Sequence, residues 1–86
     1  MVHKQIEMKG MNRAYVLFNV ESKSEHQVLK DVRAVAGVQE AYVVYGVYDL
    51  VAKVEAESME KLKELISRRL RMITNVRTTL SLILIE

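Results

Sequence analysis

Cysteine is absent from this sequence, and histidine, glycine and long apolar runs are scarce. Without cysteine the chain has neither a disulfide framework nor a thiolate metal site, which favours a reducing compartment such as the cytoplasm. Apolar runs such as Leu82 to Ile85 are far too short to span a bilayer. Residues 1–10 alternate in polarity and lack the apolar region of a signal peptide. The sequence therefore predicts a cytoplasmic protein that does not enter membranes.

The same scarcity argues against catalysis. The two histidines, His3 and His26, have no metal-ligating partner at a useful spacing. With three glycines the chain has no glycine-rich phosphate loop, no nucleophile elbow and no dinucleotide fingerprint. We therefore expect no catalytic residue, no metal and no cofactor.

What is present is the composition of one small globular domain: 86 residues, half of them hydrophobic, and a net charge of +2. Residues 1–10 are interpreted as an N-terminal extension and residues 11–86 as the compact domain. Strand and helix patterns alternate along that domain. Strands are predicted over 13–20, 38–45, 48–56 and 76–85, with one helix on the apolar positions Val28, Leu29, Val32 and Val35 and a second beginning after Ser58.

A weak internal repeat supports this β-α-β-β-α-β order. Val28, Val32, Val35, Gly37 and Val38 recur 38 residues later as Ile66, Leu70, Ile73, Asn75 and Val76. Glycine and asparagine are the residues that best tolerate left-handed backbone after a helix. Two such units joined by a hairpin predict an α+β ferredoxin-like sandwich with antiparallel sheet order 4-1-3-2 and both helices on one face.

The sheet face opposite the helices is predicted to be apolar. Residues 14–18 and, apart from Ser81, residues 80–85 are apolar at successive positions, so both faces of these strands carry apolar side chains. A patch of that size is unusual on a soluble monomer. We expect a dimer formed through the sheet faces.

Specific nucleic-acid binding is not expected. The third strand has Asp49, Leu50 and Val51 where an RNA-recognition fold carries stacking aromatic residues. The cluster Arg68, Arg69 and Arg71 is explained by the dipole at the end of the second helix more readily than by a phosphate site.

The segment Tyr45-Gly46-Val47-Tyr48-Asp49 is the strongest candidate for a binding site. Its residues alone leave two interpretations equally open. The Asp49 carboxylate either caps amides of the turn, or it pairs with the ammonium of a zwitterion whose carboxylate is held by turn N–H groups.

Residues 36–50 closely resemble the effector-binding (RAM) domain of the Lrp/AsnC, or feast/famine, transcription regulators. Gly46 and Asp49 match the Gly-x-x-Asp element of that family, and Asn75 to Ser81 resemble its closing Gly-Val-x-x-Thr-x-Thr element. The resemblance extends over residues 11–86. The chain is therefore similar to a stand-alone RAM domain without the DNA-reading domain of the full-length regulators.

This resemblance implies a dimer, often assembled into a ring of dimers, that binds an amino acid where dimers meet. By position, Asp49 would hold the α-amino group, Thr79 and Ser81 would offer hydroxyls, and Tyr45, Gly46, Val47 and Tyr48 would line the site. Such a domain would modulate transcription, for instance by joining full-length Lrp/AsnC regulators. The alternatives are a small enzyme of the dimeric α+β barrel type and a purely structural oligomer.

Overall fold

The computed structural model describes residues 11–85, and the predicted extension of residues 1–10 lies outside this range. The elements follow the predicted order. They are strand β1 (Asn12–Val20), helix α1 (Glu25–Arg33), strands β2 (Val38–Val43) and β3 (Leu50–Ala56), helix α2, and strand β4 (Val76–Leu84). Helix α2 begins as an α-helix over Met59–Glu64 and continues as a π-helix over Leu65–Leu70.

The four strands form one antiparallel sheet in the order β2-β3-β1-β4, which confirms the predicted ferredoxin-like topology. Central β1 pairs with β3 on one side and with β4 on the other. Phe18 is thus the register partner of both Leu50 and Thr79. The edge strands are β2 and β4, and each is irregular at one point: β2 between Val38 and Glu40, and the β1–β4 pair at Asn19 and Val20.

The core lies between the helices and one face of the sheet. Alternate residues of β1 point into it, in agreement with a strand that is buried on one side. The helices contribute residues at the predicted spacing, and Ile83 of β4 packs against the same cluster. The buried residues are Ala14, Val16, Phe18, Val20, Val28, Val32, Ala41, Leu50, Ala52, Val54, Leu62, Leu65, Ile66 and Leu70.

The two helices begin differently. Ser58 has extended backbone, and its Oγ accepts a hydrogen bond from the Lys61 N–H at 3.1 Å, as predicted. Ser24 also precedes its helix, but its side chain makes no capping bond. Its φ and ψ of −103° and 5° depart from the extended geometry that directs a capping hydroxyl at the first turn.

The π-helical end of α2 was not predicted. Its hydrogen bonds span five residues, as in the 2.9 Å bond from the Arg71 N–H to the Ile66 carbonyl. The sequence places Glu57 and Lys61, and also Glu64 and Arg68, at i,i+4 spacing. Glu57–Lys61 forms an ion pair at 3.2 Å, whereas Glu64–Arg68 is not among the ion pairs of residues 11–85. The wider turn moves position i+4 out of line with position i, which explains the difference.

Positive φ angles occur at the two matching positions of the repeat, Gly37 (99°) and Asn75 (74°), as predicted. The two positions differ in their surroundings. A Cβ on Gly37 would lie 2.9 Å from Cδ2 of Leu65 and 3.1 Å from the carbonyl oxygen of Glu55. Asn75 is exposed. Gly37 is therefore required both by its backbone and by the close approach of α2.

The connection between β2 and β3 is longer than predicted. Strands were expected to reach residue 45 and to resume at residue 48, but β2 ends at Val43 and β3 begins at Leu50. The Val44 N–H still bonds the Asp49 carbonyl at 2.9 Å, whereas the Asp49 N–H turns to the Phe18 carbonyl of β1 at 2.8 Å. A residue of a regular antiparallel strand directs its N–H and C=O at the same neighbour, whereas Asp49 directs them at opposite ones, so regular β2–β3 pairing ends there and residues 44–49 form a loop.

Candidate functional site

The β2–β3 loop, residues 44–49, contains five of the seven residues predicted to bind a ligand. Its outermost side chains, Tyr45 and Val47, are 106% and 85% exposed, which is unusual for apolar residues of this size. Gly46 has a φ of 157°, and an added Cβ would meet no heavy atom within 4 Å. Tyr48 and Asp49 are half-buried where the loop rejoins the sheet. The loop thus presents apolar side chains outward and a carboxylate at its base.

The Asp49 carboxylate is held by the neighbouring strand. Its Oδ2 accepts a hydrogen bond from the backbone N–H of Val20 at 2.9 Å, at the irregular end of β1. This bond takes the place of a strand-to-strand carbonyl partner for that N–H. Within residues 11–85 the other oxygen, Oδ1, has no hydrogen-bond donor. Asp49 is therefore fixed in position with one oxygen able to accept a further hydrogen bond.

This geometry refines the two interpretations of Asp49. The carboxylate does cap a main-chain amide, but that amide belongs to β1, not to the turn. Sequence reasoning missed Val20 as the partner, since the two residues lie 29 positions apart and nothing local connects them. The capping bond leaves the charge of Asp49 available to a ligand.

Thr79 and Ser81 lie on edge strand β4, on the same side of the sheet as the helices. They are the register partners of Phe18 and Val16, whose side chains are buried in the core, and both hydroxyl residues are half-buried. The neighbouring Thr78 points to the opposite face, where its Oγ1 accepts a 3.3 Å hydrogen bond from Asn19 Nδ2.

The structure does not bring Thr79 and Asp49 together within one chain. Leu50, next to Asp49, and Thr79 flank Phe18 on opposite sides, so β1 separates them. Two strand spacings amount to about 10 Å. This span exceeds the separation of the ammonium and carboxylate of one α-amino acid. A ligand held by Asp49 would need the remaining contacts from elsewhere than the hydroxyls of the same chain.

The open sheet face, defined as the side away from the helices, carries a row of apolar side chains. Across the strands the register places Tyr15 beside Leu82 and Leu17 beside Leu80. Leu80 and Leu82 are 44% and 49% exposed. The only ion pair described on this face joins Arg13 Nε to Glu55 Oε1 at 3.3 Å in residues 11–85. The prediction that both faces of the sheet are apolar is confirmed.

A second polar cluster lies at the edge of β2, beside a depression of about 270 Å³. The guanidinium of Arg33 donates to the carbonyl oxygen of Ala41 from both Nε (3.1 Å) and Nη2 (2.7 Å), and it lies 6.0 Å from the ring centre of Tyr42. The Tyr42 hydroxyl donates to Glu40 Oε1 at 2.8 Å. This hydrogen bond, together with the negative charge of Glu40, raises the pKa of Tyr42 above its usual value.

Within residues 11–85, no three carboxylate or imidazole side chains cluster closely enough to hold a metal ion. No helix in this part of the chain is long and apolar enough to cross a membrane.

Comparison with known proteins matches this arrangement to one family. Residues 13–86 match the profile of the Lrp/AsnC ligand binding domain. The solved structure of FFRP-DM1 is 34% identical, with a TM-score of 0.82, over 86% of this chain and 99% of that one. Hypothetical protein PHS023 from Pyrococcus horikoshii is 33% identical, with a TM-score of 0.81, over 87% and 90% of the two chains. No curated protein matches the sequence.

A more distant neighbour carries a ligand. The transcriptional regulator NMB0573 from Neisseria meningitidis, solved as a complex with L-Met, is 13% identical with a TM-score of 0.79. The alignment covers 96% of this chain but 54% of that regulator, and at this identity the likeness shows the fold alone.

The fold and the profile match together define a ligand-binding regulatory domain of ferredoxin-like architecture. The chain belongs to the Lrp/AsnC ligand-binding domain family. The family model describes a ligand-binding domain.

Proposed function

We propose that this protein is an amino-acid sensor that acts through assembly and modulates transcription regulators without reading DNA itself. The observation that carries the proposal is the Asp49 carboxylate, fixed by the Val20 N–H at the base of an exposed loop and retaining a free oxygen. A fixed carboxylate suits the ammonium of an α-amino acid, since a charge-assisted hydrogen bond is strongest when its geometry is held in advance. Family membership and the L-Met complex of the distant neighbour support the same ligand class.

The second part of the proposal is that the site is completed by another chain. Asp49 and the hydroxyls of Thr79 and Ser81 stand on opposite sides of β1, farther apart than the ammonium and carboxylate of one α-amino acid. Within residues 11–85 the outward side chains of Tyr45 and Val47 are left almost fully exposed, which suits a subunit boundary. A ligand at such a boundary stabilises the assembly that completes the site, by mass action.

The third part concerns the dimer itself. The open sheet face bears exposed Leu80, Leu82 and Leu84 in a row on β4, together with Tyr15 and Tyr42 on β1 and β2. Sheet-on-sheet packing against a second copy removes this surface from water and is the simplest arrangement for it. Rings of dimers, and rings shared with full-length Lrp/AsnC regulators, are the larger assemblies that we propose for the cytoplasm.

A screen of the twenty amino acids by thermal shift tests the proposal, followed by calorimetry and light scattering with the best ligand. We expect at least one α-amino acid to raise the melting temperature and the mean assembly size together. The same compound with its α-amino group acetylated serves as the matched control, because it cannot pair with a carboxylate as an ammonium does. If no amino acid binds a folded, assembled protein, the structural-oligomer alternative is favoured. Turnover of the ligand would favour the enzyme alternative.

A further inference from the structure

The outer edge of β2 presents the backbone groups of Ala41 and Val43 to an incoming strand. The Val44 N–H bonds the Asp49 carbonyl of the neighbouring strand, and antiparallel pairs alternate in the direction of their hydrogen bonds. Continuing along the register, Tyr42 directs its backbone groups at β3, whereas Ala41 and Val43 direct theirs outward. Outward N–H and C=O groups on an edge strand are a template for pairing with another chain.

Arg33 occupies one of these two outward carbonyls. Its Nε and Nη2 both donate to the carbonyl oxygen of Ala41, at 3.1 and 2.7 Å. No carboxylate of residues 11–85 pairs with this guanidinium. The side chain therefore reaches from the last residue of α1 to the strand edge, and the guanidinium stands beside Ala41 where a pairing strand would lie.

The surroundings fit a second copy of this chain better than an unrelated partner. Ala41 and Val43 flank Tyr42 symmetrically, so two antiparallel copies of β2 related by a two-fold axis at Tyr42 would pair Ala41 of each with Val43 of the other. The side chains along this stretch are apolar and exposed, with Tyr42, Val43 and Val44 at 50%, 40% and 38%. Such an edge is liable to self-pairing unless it is protected.

We propose that Arg33 is a strand-blocking residue, which closes the β2 edge against β2 of a second copy and thereby confines assembly to other surfaces. The inference does not depend on amino-acid binding. Before a strand can pair with β2, the Arg33 guanidinium must leave the Ala41 carbonyl and the Tyr42 ring. Because separating a charged group from these partners is costly, strand addition at this edge is unfavourable.

The test compares the wild type with Arg33→Met, which keeps the length of the side chain and removes its donors. Light scattering at matched concentrations is expected to show larger species for Arg33→Met. Arg77→Met is the matched control, because Arg77 is an exposed arginine at the start of β4, and its assembly size should equal that of the wild type.

A cross-link identifies the surface. The chain has no cysteine, so Tyr42→Cys introduces the only thiol, and on the proposed axis the two Cα atoms would face each other within disulfide reach. Disulfide formation should be about 10- to 150-fold faster in the Arg33→Met background than with Arg33 present, the range expected for losing a charge-assisted hydrogen bond.

Arg33→Lys provides a second route if Arg33→Met folds poorly. Lysine keeps the charge but cannot direct two fixed donors at one carbonyl, so cross-linking should rise by a smaller factor. Unchanged assembly size and unchanged cross-linking in folded Arg33 variants would overturn the proposal, and so would larger species whose cross-linking at position 42 stays at the wild-type rate.

Discussion

Asp49 combines a structural and a proposed binding role in one side chain. Its Oδ2 satisfies the Val20 N–H, a main-chain donor at a position where β1 is nearly fully buried. An unsatisfied donor there would cost about 1–3 kcal/mol. The same carboxylate is the proposed partner of a ligand ammonium. Substitutions that separate the charge from the hydrogen-bond acceptor therefore separate the two roles.

Asp49→Asn is expected to weaken amino-acid binding while leaving the fold intact. The amide oxygen of asparagine can still accept from the Val20 N–H, but it carries no charge for the ammonium. A charge-assisted hydrogen bond is worth about 1.5–3 kcal/mol, so affinity should fall about 10- to 150-fold. Isothermal calorimetry measures the affinity, and thermal unfolding checks the fold.

Two further variants serve as comparisons for that result. Asp49→Ala should lose at least as much affinity and also lower the melting temperature, because it leaves the Val20 N–H without its acceptor. Asp31→Asn makes the same chemical change on α1 and should bind normally. If folded Asp49→Asn binds as tightly as the wild type, Asp49 is not part of the site.

At the scale of elements, β4 has two distinct faces. Ile83 packs against the core, and Leu82, the next residue back, is exposed on the open sheet face opposite Tyr15. One lysine scan along this strand therefore distinguishes folding from assembly.

Leu82→Lys is expected to retain the fold and weaken the dimer, because it places a charge in the proposed sheet-to-sheet contact. Ile83→Lys is expected to lower the free energy of unfolding by about 1–3 kcal/mol, the usual range for a disrupted packing position. Light scattering measures the dimer, and circular dichroism during denaturation measures the free energy of unfolding.

Leu82→Met is the conservative control and should change neither quantity, because methionine keeps the apolar volume. Folded Leu82→Lys protein that assembles exactly as the wild type does would show that the open sheet face is not the dimer contact. That outcome would not bear on the proposed role of Asp49 in amino-acid binding.

The sequence predicted elements where local chemistry decides the structure. Ser58 caps its helix and the residues at positive φ are Gly37 and Asn75, since each of these features depends on a few neighbouring residues. It failed where a distant strand intervenes. The loop is longer than a tight turn because Asp49 bonds β1. The π-helix was missed because Leu65, Ile66 and Leu70 suit either helix equally well.

The candidate site shows the same division. The sequence indicated the segment from Tyr45 to Asp49 and its carboxylate, and the family resemblance pointed to the same loop. Strand order and register pair residues that are far apart in the chain. They determine the contact of Asp49 with Val20, its separation from Thr79, and the two hydrogen bonds from Arg33 to the Ala41 carbonyl. No short motif encodes these contacts.

For the molecule as a whole, the charge distribution favours weak, non-specific contact with nucleic acid. The exposed Arg68, Arg69 and Arg71 at the end of α2 form no ion pair within residues 11–85. Their guanidinium groups are therefore able to contact phosphates, but the overall charge of +2 is small.

Binding to duplex DNA is expected to be weak, independent of sequence and strongly reduced by salt. Fluorescence anisotropy with two unrelated duplexes at low and physiological salt measures all three properties. The double variant Arg68→Gln with Arg69→Gln should reduce the residual affinity and its salt dependence, whereas Arg77→Gln, on β4, should change them less. Nanomolar recognition of one duplex over the other would contradict the proposal of a sensor that does not read DNA.

The two left-handed positions of the repeat imply unequal freedom for sequence change over evolutionary time. Asn75 is exposed, so only its backbone restricts the choice of residue, and glycine or aspartate can replace it at little cost. Gly37 is restricted twice, by its φ and by Leu65 and the Glu55 carbonyl, which a Cβ would crowd at 2.9 and 3.1 Å. If the two halves descend from one ancestral unit with glycine at this position, the second half was free to replace that glycine with asparagine. The first half had to keep Gly37 once α2 packed against it.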